Sequence, residues 1–398
     1  MKKAILSLPK ALLVGGPDVD ARIKLMQVLS AEFDFAVAGS SHSLRSRFSA
    51  TGFNFFYYPL DRGLNPFLDA CTLFSLWQLI RRFRPHIVHT FDTKPSVWGR
   101  LAARWAGVPI IIGTLPGLGA LYASDKLSTG LLRSVYQPLQ RLACHFSDMT
   151  IFQNRYDAQH FTARGIVAEK RTTVISGSGV ETDQLSPPNV SLASRERVRA
   201  ELGIPTGALL VTMVSRLISS KGVLEFGSAA QIVKQHYPEV TFLLVGPHDE
   251  DSIDRLTTHD LAQLAKDVTW PGARNDIPTI LAISDIFVLP SFYREGIPRV
   301  LLEAASMGLP IITTDSPGCK EVVEDGLNGF LVPVRDPGSL AQAIMRLAAD
   351  PGLRRRFGER SRQRAVTRFD LSVIAGKTRS VYLHLLNQKR LLPLGATA

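Results

Sequence analysis

Apolar residues along the chain fall into two kinds of stretch. Short unbroken runs end at glycine, proline or serine, and longer segments between them carry apolar residues at helical spacing. Ala11 to Gly15 is the first run, followed by a helical stretch from Ala21 to Glu32. Further runs at Phe35 to Ala38, Phe53 to Tyr58, His86 to His89, Ile110 to Gly113, Met149 to Gln153 and Thr172 to Ser176 predict strands. Helices are predicted over Phe67 to Phe83, Val97 to Ala106, Leu127 to Phe146 with a kink at Pro138, and Tyr156 to Gly165. Unbroken runs of this kind suit parallel strands covered on both faces, so the alternation predicts a doubly wound α/β domain.

The pattern then repeats. Pro187 and Pro188 mark Leu185 to Leu192 as a linker, and a helix over Ser194 to Leu202 opens a second series. Its strands are Leu209 to Val214, Thr241 to Val245, Val268 to Trp270, Ile286 to Leu289, Pro310 to Thr313 and Gly329 to Val332. Helices over Gly222 to His236, Ile277 to Ala282 and Ser339 to Ala348 lie between or after them, and the basic stretch Arg354 to Arg368 reads as a solvated helix face. Two Rossmann-like domains in tandem are expected, 1–185 and 186–370, with 371–398 as a helix and tail that cross back to the first domain.

Composition narrows this picture. A chain of 398 residues exceeds one compact core, and 45% hydrophobic with 20% charged residues is globular. The net charge of +11 asks for a polyanionic neighbour, whether nucleic acid, anionic lipid or a phosphorylated ligand. Cys71, Cys144 and Cys319 are too few and too scattered for a disulfide framework or a zinc site, which fits a reducing cytosol. Pro9 and Lys10 interrupt the apolar N-terminus, which reads as a leader into the first strand and not as a signal peptide. The uncharged segment 105–123 is broken by Pro109, Pro116 and several glycines, and so reads as a buried strand with a glycine-rich loop.

Pro290 to Pro310 holds the candidate chemistry. Glu295 and Glu303 stand eight positions apart across the join of a loop and a helix, with Gly296 at the join and Pro298 suited to the first helical position. A helix start offers unpaired N–H groups to an anion, and the two carboxylates either take sugar and ribose hydroxyls or are unrelated glutamates of a surface helix. Arg216 and Lys221 follow another strand, and two cations on such a loop can neutralise a diphosphate, one by forked hydrogen bonds and one as a point charge. Both loops belong at the carboxyl edge of a parallel sheet, where such folds bind ligands. On the helix 67–83, Leu73, Phe74, Leu76, Trp77 and Leu79 beside Arg81, Arg82 and Arg84 make a face that suits an anionic bilayer, or a core-facing helix whose cations sit at its C-terminus.

SRLISSKG (215–222), GARNDIPTILAISDIFVLPS (272–291) and YREGIPRVLLEAASMGLPIITTDSPGCKEVVEDGLNGFLVP (293–333) together resemble the retaining glycosyltransferases of family 4. PHIVHTFDTKPSVWGRLAARWAGVPIIIGTLPGLG (85–119) and VISGSGV (174–180) extend the resemblance to the first domain. It implies the GT-B fold, two Rossmann-like domains facing a central cleft. The form EGIPRVLLEA with the PGLG loop is most similar to bacterial enzymes that extend sugars on polyprenyl diphosphate carriers for O-antigen, capsule or protein glycans.

By this resemblance Arg216 and Lys221 hold the donor diphosphate, Glu303 the ribose and Glu295 the donor sugar, with Gly296 and Ile297 lending N–H groups. Arg274, Asn275 and Asp276 border the nucleobase, and Gly15 and Gly16 let the first domain close over the diphosphate. Thr114, Gly117 and Gly119 shape the pocket through backbone, because Pro116 stands where many relatives carry a histidine; His89 reads as a structural strand-end residue. The resemblance implies a hexose or N-acetylhexosamine moved from a UDP-sugar to an undecaprenyl diphosphate-linked saccharide, with no metal, at the inner face of the plasma membrane. GDP-mannose as donor, a soluble acceptor, an epimerase or phosphorylase on a similar scaffold, and a non-catalytic basic nucleotide-binding protein are the alternatives. Nucleic acid is not an expected partner, since neither a helix-turn-helix nor aromatics interleaved with an exposed basic patch are found.

Overall fold

A computed structural model of the chain describes residues 8–61, 63, 65–117, 127–250, 252 and 254–391. They form two compact units, one running up to Ser178 and resuming at Leu371, the other from Gly179 to Asp370. The division falls before residue 185. Leu185 and Val190 pack on the second unit's core and Pro187–Asn189 is a turn of 3-10 helix, so the expected linker is part of that unit.

The first unit contains β1 (Lys10–Val14), α1 (Ile23–Leu29), β2 (Asp34–Gly39), α2 (Leu44–Ser49), β3 (Asn54–Tyr57), α3 (Pro66–Phe83), β4 (Ile87–Thr90), α4 (Lys94–Trp105), β5 (Ile110–Leu115), α5 (Leu127–His145), β6 (Met149–Phe152), α6 (Arg155–Ala163) and β7 (Thr172–Val174). Its seven strands lie parallel in the order β3-β2-β1-β4-β5-β6-β7. The chain reverses its direction of growth across the sheet between β1 and β4, where Leu12 lies between Ala36 and Val88. Helix α1 is shorter than its apolar spacing predicts, because its first turn, Val19–Arg22, winds as 3-10 helix. Asparagine caps start two helices: Asn65 accepts from Leu68 N at 3.2 Å with Pro66 following, and Asn154 accepts from Asp157 N at 2.8 Å.

The second unit contains α7 (Leu192–Glu201), β8 (Leu210–Val214), α8 (Val223–His236), β9 (Thr241–Val245), α9 (Thr258–Leu264), α10 (Ile277–Ala282), β10 (Ile286–Leu289), α11 (Arg299–Ser306), β11 (Ile311–Thr314), β12 (Gly329–Val332), α12 (Pro337–Ala349) and α13 (Pro351–Arg364). Its parallel sheet has the order β12-β11-β10-β8-β9. The strand expected at Val268 to Trp270 reduces to one parallel bridge, Thr269 beside Leu243. The stretch 354–368 is also not a solvated face throughout. Phe357, Ser361 and Ala365 are buried, and Arg362 donates to the carbonyls of Thr182, Leu185 and Ser306 at 2.8, 3.1 and 2.8 Å.

After the second unit the chain returns to the first as α14 (Leu371–Gln388). Ile374, Tyr382, Leu385 and Leu386 enter the core that contains Leu13, Val37 and Ile112. Burying each of the aliphatic ones contributes on the order of 1.5–3 kcal/mol, so the helix is a constituent of that core. Arg379 fastens its exposed side to both carboxylate oxygens of Glu32, at 2.7 and 2.8 Å. Residues 392–398 of the expected tail lie outside the described residues.

Candidate active site

In the second sheet β9 lies on one side of β8 and β10 on the other, so the chain reverses at β8 and leaves a crevice beyond the strands' carboxyl ends. A cleft of about 380 Å³ opens there. Arg216, Lys221, Arg274, Glu295 and Glu303 all line it, with Pro298 and Arg299 at the helix start. Five residues predicted from three separate loops and the helix after the last of them are thereby brought to one place.

The loop after β8 carries the cations. Ser219–Lys221 forms a 3-10 turn that ends in Gly222, whose φ of 80° is open to glycine, and a Cβ there would stand 2.2 Å from the carbonyl oxygen of Pro290. Asp254 clamps the turn: its carboxylate accepts from Ser220 N at 3.1 Å and from Ser252 Oγ at 2.7 Å, and its carbonyl accepts from Ser219 N at 2.8 Å. Burial acts to raise the Asp254 carboxyl, but the hydrogen bonds from Ser220 and Ser252 outweigh it and hold the group below its usual range. Arg216 Nη1 pairs with Asp249 Oδ2 at 2.6 Å.

The loop after β10 carries the acid. The Ser220 carbonyl accepts from both Phe292 N and Tyr293 N, at 3.0 and 3.1 Å, and so stitches this loop to the cation turn. Lys221 Nζ reaches Glu295 Oε1 at 2.5 Å and lies 5.5 Å from the Tyr293 ring centroid. Gly318 supports the same loop from beneath; a Cβ on it would lie 1.4 Å from the carbonyl oxygen of Gly296 and 2.8 Å from that of Glu295.

Pro298 is the N-cap of α11 and Arg299 its first residue, one position later than the sequence predicts, because Pro298 has a ψ of 120° and is not yet helical. Leu301, Leu302, Ala304 and Ala305 are buried beneath the helix, which leaves Glu303 on the cleft side. Glu303 Oε1 accepts from Arg299 Nε at 3.0 Å. Burial pushes its carboxyl up, against the pull of Arg299. Arg274 is gripped by Asp276 at 2.7 Å and Glu201 at 2.6 Å, and these charge-assisted bonds hold its proton more tightly than usual.

Other predicted residues stand apart. Asn275 is exposed and does not line the cleft, and Ile297 turns its side chain into the core at 6% exposure. Gly15 and Gly16 belong to the first unit, just past β1. A Cβ on Gly15 would meet Val19 Cγ2 at 2.7 Å, its N–H bonds the Ala38 carbonyl, and the Gly16 N–H bonds Asp92 Oδ2 at 3.0 Å. Thr114 Oγ1 lies 2.7 Å from His89 Nε2, and His89 Nδ1 lies 2.7 Å from Tyr382 of α14. With both ring nitrogens satisfied and the ring fully buried, burial first and Arg22 second lower the His89 pKa to about 3, so the ring is neutral. That suits the structural reading. Gly117 follows β5, and Gly119 lies outside the described residues. Asp249, Asp254 and Glu201 were not singled out from the sequence, because each acts through a loop or helix remote in the chain and none sits in a recognisable motif.

Two family models divide the chain. "Glycosyl transferase 4-like domain" matches residues 25–177 and "Glycosyl transferases group 1" matches 194–364. The UDP-Gal:alpha-D-GlcNAc-diphosphoundecaprenol alpha-1,3-galactosyltransferase of Escherichia coli is 30% identical over 84% of this chain and 84% of its own length. N,N'-diacetylbacillosaminyl-diphospho-undecaprenol alpha-1,3-N-acetylgalactosaminyltransferase of Campylobacter jejuni is 30% identical over 83% of this chain and 86% of its own. A glycosyltransferase structure from Rickettsia africae superposes with a TM-score of 0.80 at 20% identity, covering 96% of this chain and 99% of that one. Two Rossmann-like units with a ligand cleft at a strand-order reversal are the GT-B class of fold. The chain belongs to the group 1 glycosyltransferases, with a glycosyltransferase 4-like first domain, and is a glycosyltransferase.

Proposed function

We propose that the protein moves a hexose or N-acetylhexosamine, with retention, from a UDP-sugar to a saccharide carried on undecaprenyl diphosphate in surface polysaccharide or glycan assembly. The observation that carries this reading is the convergence of Arg216 and Lys221 with Glu295 and Glu303 in one cleft. The cations face the diphosphate, Glu295 takes donor sugar hydroxyls, and Glu303 takes the ribose. Retention follows if the acceptor hydroxyl attacks C1 on the face that the leaving phosphate quits, the C1–phosphate bond breaking as the new C1–O bond forms and the proton passing to the phosphate. Stabilising the departing charge is then the main task of the protein, and Arg216 and Lys221 do it without calling for a metal. Both relatives described above act, by their names, on undecaprenol diphosphate sugars, and the first takes UDP-galactose, which supports the choice of nucleotide and acceptor.

A panel of UDP- and GDP-sugars offered with undecaprenyl diphosphate-linked and soluble acceptors, in buffer with EDTA, should release nucleoside diphosphate only with a UDP-sugar and a lipid-linked acceptor. Turnover with GDP-mannose, turnover with a soluble acceptor, or a need for added metal would each replace the corresponding part of the reading.

An acceptor on a lipid carrier places the work at an anionic membrane, and α3 suits that surface. Phe67 and Phe74 are 75% and 55% exposed, Phe74 stacks on Trp77 with centroids 5.6 Å apart, and the Arg81 guanidinium lies 5.3 Å from the Trp77 ring. Trp77 itself is half-buried against the core, so Phe74 of the expected face and Phe67 at the start of the helix are the exposed aromatics that can enter lipid. Arg82 and Arg84 are exposed at the C-terminal end of the same helix, and no helix of the described residues is long and apolar enough to cross a bilayer. Each arginine near anionic lipid is worth about 1 kcal/mol. Reversing Arg81 and Arg82 to glutamate together is therefore expected to weaken co-sedimentation with phosphatidylglycerol vesicles by more than about tenfold. Equal binding of the wild type and this variant would remove the patch from the proposal.

A further inference from the structure

The cleft's cations come with anionic partners of their own. Lys221 is paired with Glu295, Arg299 with Glu303, Arg274 with Asp276 and Glu201, and Arg216 with Asp249. Glu295 and Glu303 line the cleft and have ligand hydroxyls to meet. Asp249 does not line it; its described contact with the site is through Arg216.

Its position is set by the backbone. The segment after β9 is strapped along the cation loop: Leu217 N donates to the Pro247 carbonyl at 2.9 Å, Leu217 bridges His248, and Ile218 bridges Arg255. Asp254 at the far end of this strap fastens Ser219 and Ser220. Asp249, between those anchors, delivers a carboxylate to the Nη1 side of Arg216 at 2.6 Å. A guanidinium binds a phosphate by a two-pronged edge, so the Nε and Nη2 edge can take the diphosphate while Nη1 stays on Asp249. The carboxylate is then held one guanidinium's width from phosphate oxygens of the same sign, and Arg216 divides its charge between two anions.

We propose that Asp249 is a positioning residue that caps the affinity of the cleft for the nucleoside diphosphate, orienting Arg216 while weakening its hold so that the product leaves. This rests on the reading of Arg216 as a diphosphate ligand. An uncapped Arg216 would bind donor and product alike, and since uniform tightening of both adds nothing to the chemical step, slower release would lower turnover at saturating donor. Asn at this position keeps an oxygen to accept from Nη1 and removes the charge, whereas Glu keeps the charge.

The test is calorimetric titration of uridine diphosphate into the full-length wild type, Asp249→Asn and Asp249→Glu, with turnover measured on the same preparations. Asp249→Asn is expected to bind uridine diphosphate about tenfold more tightly, about 1.4 kcal/mol, with a lower kcat and a steeper loss of affinity with added salt. Asp249→Glu is expected to return affinity to within about twofold of wild type. Unchanged or weaker binding by Asp249→Asn would overturn the cap while leaving the diphosphate reading intact. Absence of uridine diphosphate binding by the wild type would overturn the diphosphate reading itself, and the cap with it.

Discussion

Glycosyl transfer by Glu295→Ala is expected to fall by about 10²–10³-fold in kcat, the range seen when one preorganised electrostatic contact is removed from an active site. Two losses combine in this variant. On the proposed reading the sugar loses its hydroxyl clamp, and in the structure Lys221 loses the partner 2.5 Å away that holds its ammonium in the cleft at 12% exposure. An ammonium so placed, left unpaired, turns toward other acceptors or solvent and no longer meets the leaving diphosphate at a fixed point. Glu303→Ala should behave differently. Glu303 sits a turn and a half into α11 with Arg299 as its partner, and a ribose contact is the same in ground and transition states, so the expected loss is about tenfold in the donor KM with a smaller change in kcat. Steady-state release of nucleoside diphosphate across donor concentrations separates the two, and wild-type rates in both variants would take the paired glutamates out of the mechanism.

Gly318→Ala is expected to cost about 10²-fold in activity without touching a ligand. The added Cβ falls 1.4 Å from the Gly296 carbonyl oxygen, backbone against backbone, so no rotamer change relieves it and the Glu295–Gly296 loop must shift by more than an ångström. A displacement of that size costs about 10²-fold when it moves a catalytic group, and overpacking adds about 1–3 kcal/mol of destabilisation. Gly376→Ala is the matched control. It lies inside α14 with nothing within 4 Å of its Cβ position, and should raise stability by about 0.5–1 kcal/mol with activity unchanged. Thermal melts and initial rates on the two variants check both statements, and a fully active Gly318→Ala would show that the loop is free to move.

Much of this was legible from local sequence. Strands were readable because a strand buried on both faces is an apolar run, as with Ile286–Leu289, and because glycine or proline follows it. The cleft was readable because three strand-end loops with charged residues must share one edge of a parallel sheet. Strand ends were less so: Val268 to Trp270 has the composition of a strand but pairs only through Thr269. What stayed hidden depends on partners distant in the chain. His89 and Tyr382 are 293 positions apart, and Arg274 and Glu201 73, and no periodicity carries such pairs. Arginine-rich 354–368 misled because charge density was read as exposure, whereas Arg362 spends its hydrogen bonds on buried carbonyls.

The helix α14 also fixes an order of events during synthesis. Strands β1 to β7 leave the ribosome first, yet Ile374, Tyr382, Leu385 and Leu386, which close their core, are added only after all of the second unit. The second unit has its complete set of elements in one uninterrupted stretch and can fold while translation continues. The first must wait with an open apolar seam beside β1, so the nascent chain is most exposed to aggregation and to chaperones in its earlier half, until residue 388 emerges.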